Sequence, residues 1–131
     1  MPPKVLIVDD DRIILFLHQI IIKESGISTT PLLFGNGQEA FNYLQSELPG
    51  KDAIIFLDLN MPVMDGWELL DALYQPPYLN HIQVVLVTSS IDPKDREKAK
   101  KYPMVKLYLE KPMDIEACKK AMLATSYNNK I

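Results

Sequence analysis

Four short apolar runs recur along the chain, and each closes on a polar or charged group. Val5-Leu6-Ile7-Val8 runs into Asp9-Asp10-Asp11, and Ala53-Ile54-Ile55-Phe56-Leu57 into Asp58. Ile82 to Val87 ends at Thr88-Ser89-Ser90, and Val105 to Leu109 at Glu110-Lys111-Pro112. Apolar runs of this length without strict polar alternation mark strands covered on both faces. A weaker run, Ile27 to Phe34, contains Pro31, which cannot donate to a ladder and so puts that strand at a sheet edge.

Helical patterns fill the gaps. Residues 12–24 carry Ile13, Phe16, Leu17, Ile20 and Ile21 at helical spacing, with Gly26 as the stop. Residues 38–47 follow a Gly35-Asn36-Gly37 turn and turn Ala40, Phe41 and Leu44 inward. A helix near 66–74 is stopped by Pro76-Pro77. Asp92-Pro93 opens a helix near 93–101 whose apolar face is thin, Ala99 and Tyr102 at most. Asp114 caps a last helix from 115 to about 126. Five strands alternating with five helices predict an α/β chain: one parallel sheet, helices on both faces, right-handed crossovers. No repeat or linker divides it, so residues 1–131 read as a single domain.

Composition narrows the function classes. The chain has 131 residues, 47 % apolar and 24 % charged, which is enough for one core. A net charge of −3 gives no overall pull toward nucleic acid or a membrane surface. The charge is uneven. Residues 1–91 hold 4 Lys/Arg against 11 Asp/Glu, and residues 92–131 hold 10 against 6. Two ordinary solvated surfaces would give this, and so would an acidic metal pocket with a basic partner face. The one cysteine, Cys118, precludes an internal disulfide. Met1-Pro2-Pro3-Lys4 leads straight into the first strand, leaving no room for a signal peptide, and a cytoplasmic location is expected. Met1 and the polar tail favour a complete chain. No DNA-binding or enzymatic domain follows Tyr127, so output is expected to run through binding.

In open parallel sheets, ligands bind beyond the carboxyl ends of the strands, where strand order reverses. Asp9, Asp10, Asp58, Thr88, Ser89 and Lys111 all sit at such ends. Singly, each has an ordinary explanation: Asp9-Asp10-Asp11 could cap the first helix, Asp58 and Thr88 could cap turns, and Lys111 could lie on the surface. Together they describe a site. Crowded carboxylates are hard oxygen ligands suited to Mg²⁺. A metal, a lysine and a hydroxyl surround a charged phosphoryl group as its transfer requires, with Asp58 as the nucleophile.

At this point the chain resembles the receiver domains of two-component response regulators, in particular the stand-alone, chemotaxis-regulator-like kind. The matching blocks are VDDD at 8–11, DLNMPVMDG at 58–66, VTSS at 87–90 and YLEKP at 108–112. The resemblance implies a flavodoxin-like sheet of order 2-1-3-4-5 and a signalling role in a phosphorelay, with no catalysis beyond the domain's own phosphorylation and slow dephosphorylation. It makes Asp58 the phosphoacceptor. It gives Mg²⁺ to Asp10, Asp58 and the Asn60 carbonyl, with Asp9 acting through water or as a second ligand. It assigns the phosphoryl oxygens to Thr88 and Lys111, with the small Ser89 leaving access. Thr88 and Tyr108 become the switch pair, Lys111-Pro112 a cis peptide, and Asn60 and Ser90 candidates for tuning phosphoryl lifetime. The implied donor is a histidine kinase or histidine phosphotransfer protein docking on the oily first helix, IILFLHQIII at 13–22. That composition fits a deeply packed helix equally well. His18 within it is read as surface or packing. The implied output is a face of helix 4, strand 5 and helix 5 that meets an unidentified protein; Lys94, Arg96, Lys98, Lys100 and Lys101 there favour an acidic surface. The protein is expected as a monomer or a weak phosphorylation-dependent dimer, bound to neither nucleic acid nor membrane.

Three other readings weigh less. Haloacid-dehalogenase-type phosphatases need a second aspartate two residues after the nucleophile, and here that residue is Asn60. A flavodoxin needs a hydroxyl- and glycine-rich phosphate loop where this chain has three aspartates. A receiver fold working only as an unphosphorylated binding module would not need Asp10, Asp58, Thr88 and Lys111 intact.

Overall fold

The computed structural model describes residues 3–125. Five parallel strands form one sheet of order β2-β1-β3-β4-β5. These are β1 (Lys4–Val8), β2 (Leu32–Phe34), β3 (Ala53–Leu57), β4 (Ile82–Thr88) and β5 (Val105–Glu110). Helices α1 (Arg12–Ser25), α2 (Gly37–Glu47), α3 (Gly66–Leu73), α4 (Pro93–Ala99) and α5 (Ile115–Ala124) make the crossovers. Alternation along each strand sends side chains to two separate cores. Val5, Ile7, Ile54, Phe56, Val85 and Val87 meet Leu15 and Ile22 of α1 and Cys118 and Ala121 of α5. Leu6, Val8, Ile55, Leu57, Val84 and Leu86 meet Ala40 and Leu44 of α2, Leu69, Leu70 and Leu73 of α3, and Ala99 of α4. All five residues of β3 are buried, as its uninterrupted apolar run predicts.

Two sequence expectations shift. The second strand is three residues long, not eight. Ile27 is drawn into the core, and the pairing starts only after Pro31, whose missing N–H ends the ladder there. Helix α4 stops at Ala99, with Lys100 and Lys101 in the turn beyond. For α1 the sequence left a deeply packed helix and an exposed apolar patch both open. Its stripe of Ile13, Phe16, Leu17 and Ile20 faces outward, with Ile13 78 % and Phe16 64 % exposed. The buried face is Leu15, His18 and Ile22. A helix apolar on two faces has two possible stripes, and α5 packs beside the one that contains the histidine. His18 is therefore a core residue, 1 % exposed. The last helix ends at Ala124, and the expected extension to 126 lies outside the described residues.

Candidate functional site: an acidic pocket at the strand ends

Backbone ladders continue past the strands and align the first polar residue of each. Val8 pairs with Leu57. One step on, the Asp58 N–H donates to the Val8 carbonyl and the Asp9 N–H to the Phe34 carbonyl, each at 3.0 Å. Asp9 and Asp58 are thereby neighbours at the carboxyl edge, and both are buried. Asp10 follows at the surface, and one carboxylate oxygen from each of the three lies within 4.8 Å of the others. The third aspartate of the run does something else. Asp11 is the N-cap of α1, its Oδ1 accepting from the Ile13 and Ile14 amides at 2.9 and 3.4 Å. Capping and site formation, alternatives in the sequence, are divided between neighbours.

Lys111 arrives from the other side. Its N–H donates to the Thr88 carbonyl at 3.0 Å, one step past the β4–β5 ladder, and its bond to Pro112 is cis as the resemblance implied. The ammonium lies 3.0 Å from Asp9 Oδ2 and 3.1 Å from Asp58 Oδ2. Burial works against this cation, but hydrogen bonds and the charges of Asp9 and Asp58 outweigh it and raise its pKa. Asp9 is also raised, first by burial and then by the charge of Asp58, against the Asp11 amide and Lys111. The two shifts are compatible, because two buried carboxylates share one ammonium and negative charge is left over. Asp58 Oδ1 is buried without a hydrogen-bond partner. A hard dication fits this donor set: surplus negative charge, carboxylate oxygens in reach of one another, and an oxygen without a partner.

Thr88 is buried at the end of β4, its Oγ1 accepting from the Ser90 amide at 3.3 Å, and Ser89 is exposed beside it. Tyr108 is half-buried, its hydroxyl donating to the Ser90 carbonyl at 3.4 Å. Two partners here went unread in the sequence. The Arg96 guanidinium lies 4.5 Å from the centre of the Tyr108 ring, and Ser90 Oγ donates to Asp95 at 2.5 Å. Asn60 is exposed at the start of the following loop. That loop is tied back by Gly66 N–H to the Leu59 carbonyl at 2.9 Å. Gly66 has no room for a side chain. A Cβ there would stand 2.5 Å from the Asp58 carbonyl oxygen and 2.8 Å from Leu59 Cα.

A doubly wound sheet of this order, with Asp9 and Asp58, Thr88 and Lys111 at successive strand ends, defines a receiver-type signalling domain. The chain belongs to the response regulator receiver domain family, whose model matches residues 5–123. It is 37 % identical over 94 residues to response regulator Rcp1 of Synechocystis sp., covering 68 % of this chain and 64 % of that protein. It is 29 % identical over 115 residues to the polar-differentiation response regulator DivK of Brucella anthropi, covering 88 % of this chain and 89 % of DivK. Among solved structures, a two-component response regulator from Cytophaga hutchinsonii matches with TM-score 0.79 at 33 % identity, covering 98 % of this chain and 96 % of that one. The chain is thus a receiver-domain response regulator of two-component signalling. Among the described residues no helix is long and apolar enough to cross a membrane.

Proposed function

We propose that this domain is a Mg²⁺-dependent phosphoacceptor whose acceptor is Asp58. The observation that carries it is the state of that carboxylate. It is buried, with one oxygen held by Lys111 and the other without a partner. The free oxygen attacks the donor phosphorus, the bond from phosphorus to the donor nitrogen breaks, and the donor imidazole leaves with a proton. Lys111 follows the charge onto the transferred oxygens, and Thr88 donates its hydroxyl to one of them. Asp9, Asp10, Asp58 and the Asn60 carbonyl would hold Mg²⁺, which supplies charge neutralisation when bound. Ser89, small and exposed, leaves the approach open.

The donor is a histidine kinase or phosphotransfer protein, and the exposed stripe of Ile13, Phe16, Leu17 and Ile20 is its docking face. Phosphorylation changes the face of α4, β5 and α5 through Thr88 and Tyr108, and that face meets a protein target. A single receiver domain over residues 1–131 is supported by a family match that leaves only short ends. A reducing, cytoplasmic compartment suits the buried free Cys118. The test is intact-protein mass after incubation with acetyl phosphate and Mg²⁺. One phosphoryl adduct is expected, absent in Asp58→Asn and absent with chelator. A folded, Mg²⁺-binding protein that takes no adduct from either acetyl phosphate or a phosphorylated histidine donor would leave a binding module in its place.

A further inference from the structure

We infer that His18 is a positioning residue for phosphoryl transfer, acting through Lys111; this rests on the phosphoacceptor reading of Asp58. His18 Nε2 is 2.9 Å from the Met113 amide nitrogen, ninety-five positions along the chain, and that contact is buried. An amide only donates, so Nε2 must offer its lone pair, and the ring is the neutral Nδ1–H form. Burial, then the Lys111 charge, hold its pKa down at about 4, in keeping with that form.

The location gives this bond its effect. Met113 is two residues after Lys111 and is itself buried. Before Lys111 the chain is fixed by its N–H on the Thr88 carbonyl. After it, the next available N–H is that of Met113, since Pro112 has none. The lysine is thus held between two backbone anchors, one on β4 and one on α1. Removing the second leaves a buried N–H without a partner, which the loop can relieve by moving toward water. The ammonium that spans Asp9 and Asp58 would move with it. His18 also places Lys111 one hydrogen bond from α1, whose outer face carries Ile13 and Phe16.

The test uses Gln and Asn as geometric controls. Gln extends a carbonyl oxygen to about the reach of Nε2, and Asn is one methylene shorter. Phosphorylation of His18→Leu and His18→Asn by acetyl phosphate at saturating Mg²⁺ should slow on the order of tenfold. His18→Gln should stay within about threefold of the parent. Mg²⁺ affinity by calorimetry should not weaken in any of them, because Lys111 opposes the metal rather than binding it. In a Lys111→Met background the further loss from His18→Asn should vanish, since positioning a residue that is gone has no effect. Folded Asn and Leu variants with the parent's rate would overturn the proposal, as would losses that persist without Lys111. An inert parent protein would instead refute the phosphoacceptor reading on which it rests.

Discussion

Acid should destabilise this protein by a measurable share through one side chain. His18 accepts a hydrogen bond at Nε2 and is buried, so its folded pKa falls from 6.5 to about 4. Above pH 6.5 the ring is neutral in both states and the stabilisation is complete. As pH falls below 6.5 the unfolded chain takes up a proton that the native ring refuses, and stability drops. The slope approaches about 1.4 kcal/mol per pH unit, and the total down to pH 4 is about 3 kcal/mol. Other groups titrate in this window, and Asp9 acts in the opposite sense because its pKa is raised. The comparison is therefore a difference. Urea unfolding of the parent and of His18→Gln should be followed from pH 7.5 to 4.5. The glutamine keeps an acceptor and does not titrate, so the gap between the curves should shift in its favour by about 2 kcal/mol over that range. Curves that stay parallel would show that the ring already carries a proton or that its bond to Met113 is not formed.

Three other perturbations have defined outcomes. Gly66→Ala drives a methyl against the Asp58 carbonyl and Leu59, both backbone, and should lower stability by about 1–3 kcal/mol; thermal unfolding reads this, and an unchanged midpoint would contradict the close approach. Val63 is exposed and β-branched at φ 68°, a left-handed conformation that costs an L-residue about 1–2 kcal/mol, so Val63→Asn should stabilise by about 1 kcal/mol in chemical denaturation. Lys111→Met leaves Asp9 and Asp58 without a cation and should cost about 3 kcal/mol at pH 7.5. Millimolar Mg²⁺ should recover part of it, and the deficit should narrow as pH falls and Asp9, whose pKa is raised by burial, takes a proton, both followed by urea unfolding.

What the sequence made legible follows a physical divide. A parallel sheet with a shared functional edge could be reached because the buried runs end on residues that only such an edge makes sense of, and Pro31 marked one side of the sheet; the order of the strands came from the family resemblance. The pairing of Lys111 with Asp58 was foreseeable from charge. Two things were not. The inward face of α1 depended on which of two apolar stripes its neighbour would cover, and that is decided by packing between residues a hundred positions apart. The role of His18 was hidden for the same reason, since its partner is a backbone N–H and no residue type announces it. A histidine among aliphatic residues, with a proline that removes a donor just before Met113, is the nearest thing to a signal. The Arg96–Tyr108 contact was likewise invisible, because α4 offers many cations and only the fold selects one.

The seven residues of α4 bury one side chain, Ala99. Beyond that the helix is held by the Ser90–Asp95 hydrogen bond and by two cations over rings: Arg96 above Tyr108, and Lys98 4.3 Å from the centre of the Trp67 ring. Contacts of that kind contribute about 0.5–1 kcal/mol each where water reaches them. The free energy that separates docked from detached α4 is therefore small beside that of the sheet, and its amides should exchange with solvent long before those of β3. A perturbation at Tyr108 should therefore reach this helix before the strands beneath it.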